Sequence, residues 1–211
     1  FVVHLMQGGR LKPDTGRSRR PRGGVARWRF ADGRALLLTE AGTERKAGVW
    51  LVRGDPLSQP PLDDLGPEAD TVEPEALAAD FAAHPMRLHT FLRDQQRLAG
   101  MGRRLANEVC HRARLSPFAP TKSLGADGAA RVVAAIRDAV AEGLAVERAR
   151  DDMSASKERP SRVHGRTGEA CPECGDTVRA VEYRDYTVNY CATCQTGGKV
   201  LADNTTSKFL K

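Results

Sequence analysis

The sequence predicts an α+β chain built in three consecutive parts, on three observations. Short strand-like pieces separated by Gly, Pro and Asp turn signals fill residues 1–72. From Glu73 the composition turns to Ala, Leu and Arg at helical spacing, and two Cys-x-x-Cys pairs follow near the end. The expected boundaries are 1–72 for the β part, 73–158 for the helical part and 159–211 for the cysteine-bearing part.

Within the β part, strands are expected over 1–5, 25–30, 34–39 and 48–52. The intervening stretch 16–24 carries Arg17, Arg19, Arg20 and Arg22 around Pro21, too polar to pack, and reads as a solvated loop. Helices are expected over 74–83, 86–98, 103–114 and 126–150. Pro74 suits a first helical turn, Gly100 and Gly102 part the second helix from the third, and Pro117 with Pro120 parts the third from the fourth. A Ser-, Lys- and Glu-rich linker covers 151–162. There is no internal repeat.

Composition narrows the partners. The 211 residues carry 33 Lys+Arg against 27 Asp+Glu, a net +6, and with a pI near 9.3 the balance favours an anionic partner such as nucleic acid. A mean hydropathy of −0.47 comes with no apolar run near the roughly 18 residues that cross a bilayer. The opening FVVHLMQGGR is too short for a secretory signal and has no Ala-x-Ala-like cleavage site, so a cytoplasmic protein without a membrane partner is expected. The chain opens on Phe1, in what reads as the middle of a strand, which suggests a piece of a longer polypeptide.

The cysteines carry the most specific signal. Cys171-Pro-Glu-Cys174-Gly and Cys191-Ala-Thr-Cys194 are separated by the sixteen residues 175–190, enough for a hairpin that folds the two pairs onto one ion. Val178, Val181, Tyr183 and the run 186–190 read as its strands, and Gly175 permits a tight turn after the second ligand. One structural Zn2+ is the expected cofactor. A redox dithiol would need a single pair on a βαβ unit, which is not visible, and an iron site is the other alternative. Cys110 reads as a small buried hydrophobe.

Upstream, Gly100-Met101-Gly102 joins two helices, and the free amides opening the second helix suit a phosphate. Between Arg87 and Lys122 eight basic residues face two acidic ones, Asp94 and Glu108. DNA-backbone binding is one use of such a turn; ordinary helix packing is the other.

The order of these pieces resembles the formamidopyrimidine-DNA glycosylase and endonuclease VIII family. The matching stretches are Asp94-Gln95 through Glu108, Ala113-Arg114-Leu115-Ser116-Pro117, Val163-His164-Gly165-Arg166-Thr167-Gly168, and the two cysteine pairs with Gln195. In the β part, His4-Leu5-Met6-Gln7-Gly8-Gly9-Arg10-Leu11 is similar to the family's His-Leu-x-Met-x-Gly stretch, and Arg45-Lys46-Ala47-Gly48 to its Arg-Arg-Phe-Gly turn. The resemblance implies a partial β-sandwich, a helix-two-turn-helix domain and a zinc-finger hairpin. Together these would hold damaged double-stranded DNA as a monomer, with the lesion swung out for excision. It places Gln7 and Arg45 among the void-filling residues, with Gln7 and Ala47 standing where the family has Met and Phe. Arg103, after Gly102, takes the position of a phosphate-binding Asn. His89 takes that of a Lys, and Tyr186 that of the finger's Arg, with Arg184 two positions away as a substitute. The expected DNA contacts are therefore Gln7, Arg45, His89, Gly102, Arg103 and Arg184, and the expected metal ligands Cys171, Cys174, Cys191 and Cys194.

The resemblance also implies an N-terminal Pro nucleophile with a neighbouring Glu, and neither has a counterpart among these residues, so no catalytic residue is assigned. Two readings follow: a glycosylase and AP lyase of base-excision repair whose catalytic segment lies upstream, or a zinc-stabilised DNA-binding module without lyase chemistry.

Overall fold

The computed structural model describes residues 1–6, 8–16, 18–43, 45–150, 159–184 and 186–201. Gln7, part of the expected linker and most of the basic tail lie outside the described residues. The chain divides into two compact units, Phe1–Asp64 and Leu65–Lys211. Among the described residues, no helix is long and apolar enough to cross a membrane.

The first unit is made of strands. β1 (Val2–His4) pairs antiparallel with β5 (Gly48–Trp50). β2 (Gly9–Pro13), β4 (Ala35–Glu40) and β3 (Gly24–Arg29) form a second antiparallel sheet with β4 in the middle. The central strand carries the unit's apolar run and buries Leu37 and Leu38. β2 was not expected: it offers one apolar residue, Leu11, between Arg10 and Lys12 and ends on a proline, the composition of an edge strand that discourages further pairing. The β3–β4 turn needs Gly33 at φ +81°, and Asp32 accepts the Arg34 amide at 2.9 Å. At the end of β4 the buried Glu40 carboxylate accepts the amides of Lys46 and Ala47, each at 2.9 Å, and so fixes the loop that displays Arg45.

The second unit packs helices α1 (Pro74–Ala83), α2 (Leu88–Arg93), α3 (Arg103–Arg112) and α4 (Gly125–Arg148) around one core. On α4, Ala129, Val132, Val133, Ile136 and Ala139 recur at helical spacing and are buried. Phe81 of α1 meets Phe91 of α2 edge-on, with centroids 4.8 Å apart. Cys110 of α3 is fully buried, as expected, and burial pushes its thiol pKa up.

α2 stops well short of the expected 98. Asp94 takes the Gln96 amide on its side chain (3.0 Å), and its carbonyl accepts the amides of Arg97 and Leu98, so local bonds replace the helical ladder. Gln95 then clasps the glycine turn, accepting from the Gly100 amide (3.1 Å) and donating to the Met101 carbonyl (2.6 Å). Beyond α4, β6 (Val178–Glu182) and β7 (Thr187–Cys191) form an antiparallel hairpin that runs into α5 (Ala192–Thr196).

Two buried polar groups organise this unit. Glu108, inside α3, accepts the consecutive amides of Arg162, Val163 and His164 at 2.9, 3.0 and 2.9 Å. His89, inside α2, is 2% exposed, and burial, reinforced by Arg93, lowers its pKa to about 4.

Glu108→Gln removes the charge those amides share and lowers unfolding free energy by about 2–4 kcal/mol in urea titration. An unchanged midpoint would show the carboxylate to be dispensable. Because the folded His89 pKa lies below its unfolded value of about 6.5, folding opposes protonation, and the stability this residue contributes falls away as pH drops from about 6.5 to 4. His89→Phe should flatten the stability–pH curve in that window by up to about 1.4 kcal/mol per pH unit.

Candidate metal centre and nucleic-acid interface

The hairpin and α5 bring together all four expected metal ligands. The Sγ atoms of Cys171, Cys174, Cys191 and Cys194 lie within 4.8 Å of one another. Cys171 and Cys194 are 3.9 Å apart, and Cys174 and Cys191 3.4 Å. A tetrahedral thiolate site with metal–sulfur bonds of about 2.3 Å has sulfur–sulfur edges of about 3.8 Å, so the cluster fits one metal ion.

Each knuckle is shaped by local bonds. Gly175 at φ +78° donates its amide to the Cys171 carbonyl (2.9 Å), and the Cys171 amide donates to the Asp176 carbonyl (2.7 Å). The Asp176 carboxylate receives the Thr193 hydroxyl at 2.9 Å, joining the two knuckles.

The cluster is also tied to the helices. Gln195 accepts the Cys191 amide (2.8 Å) and donates to the Leu115 carbonyl (2.9 Å), just past α3. His111 of α3 places Nε2 3.3 Å from Cys171 Sγ, a contact that orients a ligand thiolate. Sequence reading missed His111. Its one signal in the sequence is spacing, Asn107 and Glu108 standing four and three residues before it on α3; the structure then buries all three, which is unusual for polar residues without a structural task.

The glycine turn is held rather than loose. Met101 is buried in the helical core, Gly100 adopts φ +82°, and Gly102 opens α3 with no side chain capping the helix amides. A Cβ built at Gly102 meets nothing within 4 Å, so packing within the chain does not require a glycine there, whereas close approach of a ligand would.

Beside this turn lies a cavity of about 530 Å3 lined by Arg103, His164, Asn189, Tyr183, Arg184 and Tyr186, among others. It unites two of the expected DNA contacts, Arg103 from α3 and Arg184 from the hairpin turn. Asn189 braces the floor, accepting the Gly165 amide (3.0 Å) and donating to Thr167 Oγ1 (2.9 Å). Asn107 donates to His164 Nδ1 at 2.9 Å behind it.

His89 is placed differently from a surface contact. It is buried and neutral, with the Tyr186 ring stacked parallel to it at 6.1 Å. Tyr186 also stacks on Tyr183, with centroids 4.6 Å apart, and carries the Arg93 guanidinium 4.1 Å from its ring centre. Arg45 is exposed in the first unit, and Gln7 lies outside the described residues.

Comparison with known proteins gives a consistent kinship. No protein-family model matches the chain. It is 40% identical over 155 residues to an uncharacterized formamidopyrimidine-DNA glycosylase-like protein of Mycobacterium tuberculosis, covering 70% of this chain and 94% of that one. It is 33% identical over 192 residues to the formamidopyrimidine-DNA glycosylase of Sphingopyxis alaskensis, covering 80% and 71%. The crystal structure of the MutM (Fpg) protein of Thermus thermophilus superposes with a TM-score of 0.75 at 28% identity, over 94% of this chain and 76% of that one. With the cysteine cluster, the clasped glycine turn and these relatives all in agreement, the chain belongs to the formamidopyrimidine-DNA glycosylase family.

Proposed function

We propose that this protein acts in base-excision repair as a DNA glycosylase on oxidised bases, and that the residues described here supply its grip on damaged double-stranded DNA. The observation that carries the reading is the convergence of Arg103 and Arg184 on one cavity, backed by the uncapped start of α3. Guanidinium groups and free helix amides both bind phosphate oxygens, and the two arginines arrive from separate elements held in fixed relation by Glu108, Gln195 and the cysteine cluster. On this reading Gly102 lets the sugar-phosphate backbone approach, and Arg45 lies on a loop fixed for insertion. Gln7 is assigned the same role by resemblance alone.

Zn2+ fits the four-thiolate set best, because soft sulfur ligands in tetrahedral array suit it and no open coordination position is left for catalysis. When bound, the ion supplies folding energy rather than chemistry. The protein is proposed to work in the cytoplasm as a monomer. Lyase chemistry needs an amine that adds to the C1′ aldehyde of the ring-opened abasic sugar and, with loss of the carbonyl oxygen as water, forms an imine.

On duplex carrying an abasic-site analogue the protein is expected to bind more tightly than on intact duplex of the same sequence; equal affinities would sink the reading. Borohydride trapping on abasic-site DNA tests the lyase step, since a covalent adduct forms only where an amine has reached the sugar. Arg103→Ala should weaken duplex binding and reduce the slope of log K against log salt by about 1. A slope unaffected by the substitution would remove Arg103 from the phosphate contacts.

Metal analysis is expected to find one zinc ion per chain, and Cys191→Ser to abolish it. With it would go binding energy on the order of 10 kcal/mol that the fold draws from the ion, seen as loss of amide protection across β6 and β7. Retention of hairpin protection in chelator would contradict a structural metal.

A further inference from the structure

The two ligands of the first knuckle stand in opposite surroundings. Cys174 is exposed at its tip, where water reaches it, whereas Cys171 is 3% exposed. Four thiolates around one divalent ion carry two negative charges in excess, and a sulfur shut away from water can have its share met only by hydrogen-bond donors of the protein.

One such donor comes from outside the knuckles. His111, in the last turn of α3 and 2% exposed, places Nε2 3.3 Å from Cys171 Sγ. Its other ring nitrogen, Nδ1, is buried with no hydrogen-bond partner among the described residues. Buried polar atoms are as a rule bonded, and an orphaned one costs stability that the rest of the ring has to offset. A leucine would fill a similar volume and leave no nitrogen orphaned, so packing alone gives no reason for an imidazole at this position. The sulfur does. A thiolate has lone pairs and no proton to give, so the shared proton is the imidazole's, and a bond to an ionised acceptor is stronger than one between neutral groups.

We propose that His111 is a positioning residue of the metal site: its Nε2–H donates to the Cys171 thiolate, draws charge off the sulfur, and sets how firmly the cluster keeps its ion. The proposal rests on the zinc reading and adds a residue, outside the four ligands, on which retention of that metal depends.

The test uses the full chain with Co2+ in place of zinc, because the sulfur-to-cobalt charge-transfer absorption reports the electron density on the thiolates. His111→Leu returns that density to sulfur, and the band moves to lower energy. His111→Gln, whose amide nitrogen reaches about as far from the backbone as Nε2, keeps an N–H and leaves the band near its original place. Zinc affinity, measured by competition with a chelating dye, falls by about 10- to 100-fold in the leucine variant and largely recovers in the glutamine one. A residue that serves only as packing changes stability without moving the band, so an unmoved band in His111→Leu overturns the proposal, as does an equal shift in both variants. The unaltered zinc-loaded chain gives an independent check by nitrogen NMR of the imidazole: the proton sits on Nε2 and Nδ1 is bare, and the opposite tautomer overturns the proposal. Failure of the unaltered chain to take up either Zn2+ or Co2+ would instead defeat the zinc reading itself.

Discussion

Glu108 receives three consecutive amide protons from residues 162–164 while sitting inside α3, and this one carboxylate sets the geometry on which the site depends. The segment it captures leads straight into His164 and Gly165 at the cavity and then to Cys171 at the metal cluster. A buried charge is tolerated only when it is bonded this fully, and three short bonds to one carboxylate leave the segment little freedom. The helix that presents Arg103 and the loop that floors the cavity therefore move as one piece. Gln195 and His111 repeat the connection on the far side, joining the end of α3 to the cysteines. The four cysteine thiols gather the two knuckles at one point, while the protein's own polar bonds aim the hairpin at the helix.

Most of the architecture was legible in the sequence because it rests on local signals. Pro74 marked the start of α1 to the residue, α4's spacing gave its length within two residues, and the cysteine spacing located the hairpin. The two misreadings have physical causes. The 86–98 stretch has helical composition throughout, but Asp94 and Gln95 satisfy the backbone with their side chains and end the helix at Arg93. β2 carries almost no apolar signal of its own because its pairing is dictated by β4, which supplies the buried leucines. At the site, the gathering of the four cysteines followed from their spacing, whereas Arg103 and Arg184 were named only singly, by resemblance, and their meeting at one cavity was not foreseen. Nor was the burial of His89, since nothing local to α2 reveals that a tyrosine nearly a hundred residues on will cover it.

Counting charge along the sequence also overstated what faces a ligand. Of the eight basic residues between 87 and 122, Arg97 sits 3.7 Å from Asp80 and Arg112 pairs with Glu142 at 2.7 Å. Arg93 lies against Tyr186, and Arg87 over the Phe118 ring at 5.2 Å. These groups hold the unit together. The arginines that line the cavity, beside Glu182, are Arg103 and Arg184, brought there by tertiary structure, so a charge count along the sequence does not locate them.

The tyrosine at position 186 shows how one exchange reorders a site. An arginine there would offer a phosphate a charged, salt-sensitive contact. The ring that stands there instead covers His89, which burial holds neutral, and gives the Arg93 guanidinium an aromatic face in place of an anion. One cation is absent from the hairpin turn and a second is turned toward the protein, which lowers the purely ionic part of any DNA affinity. In exchange the hairpin turn gains a stacked aromatic pair that ties it to α2 through Arg87 and Arg93.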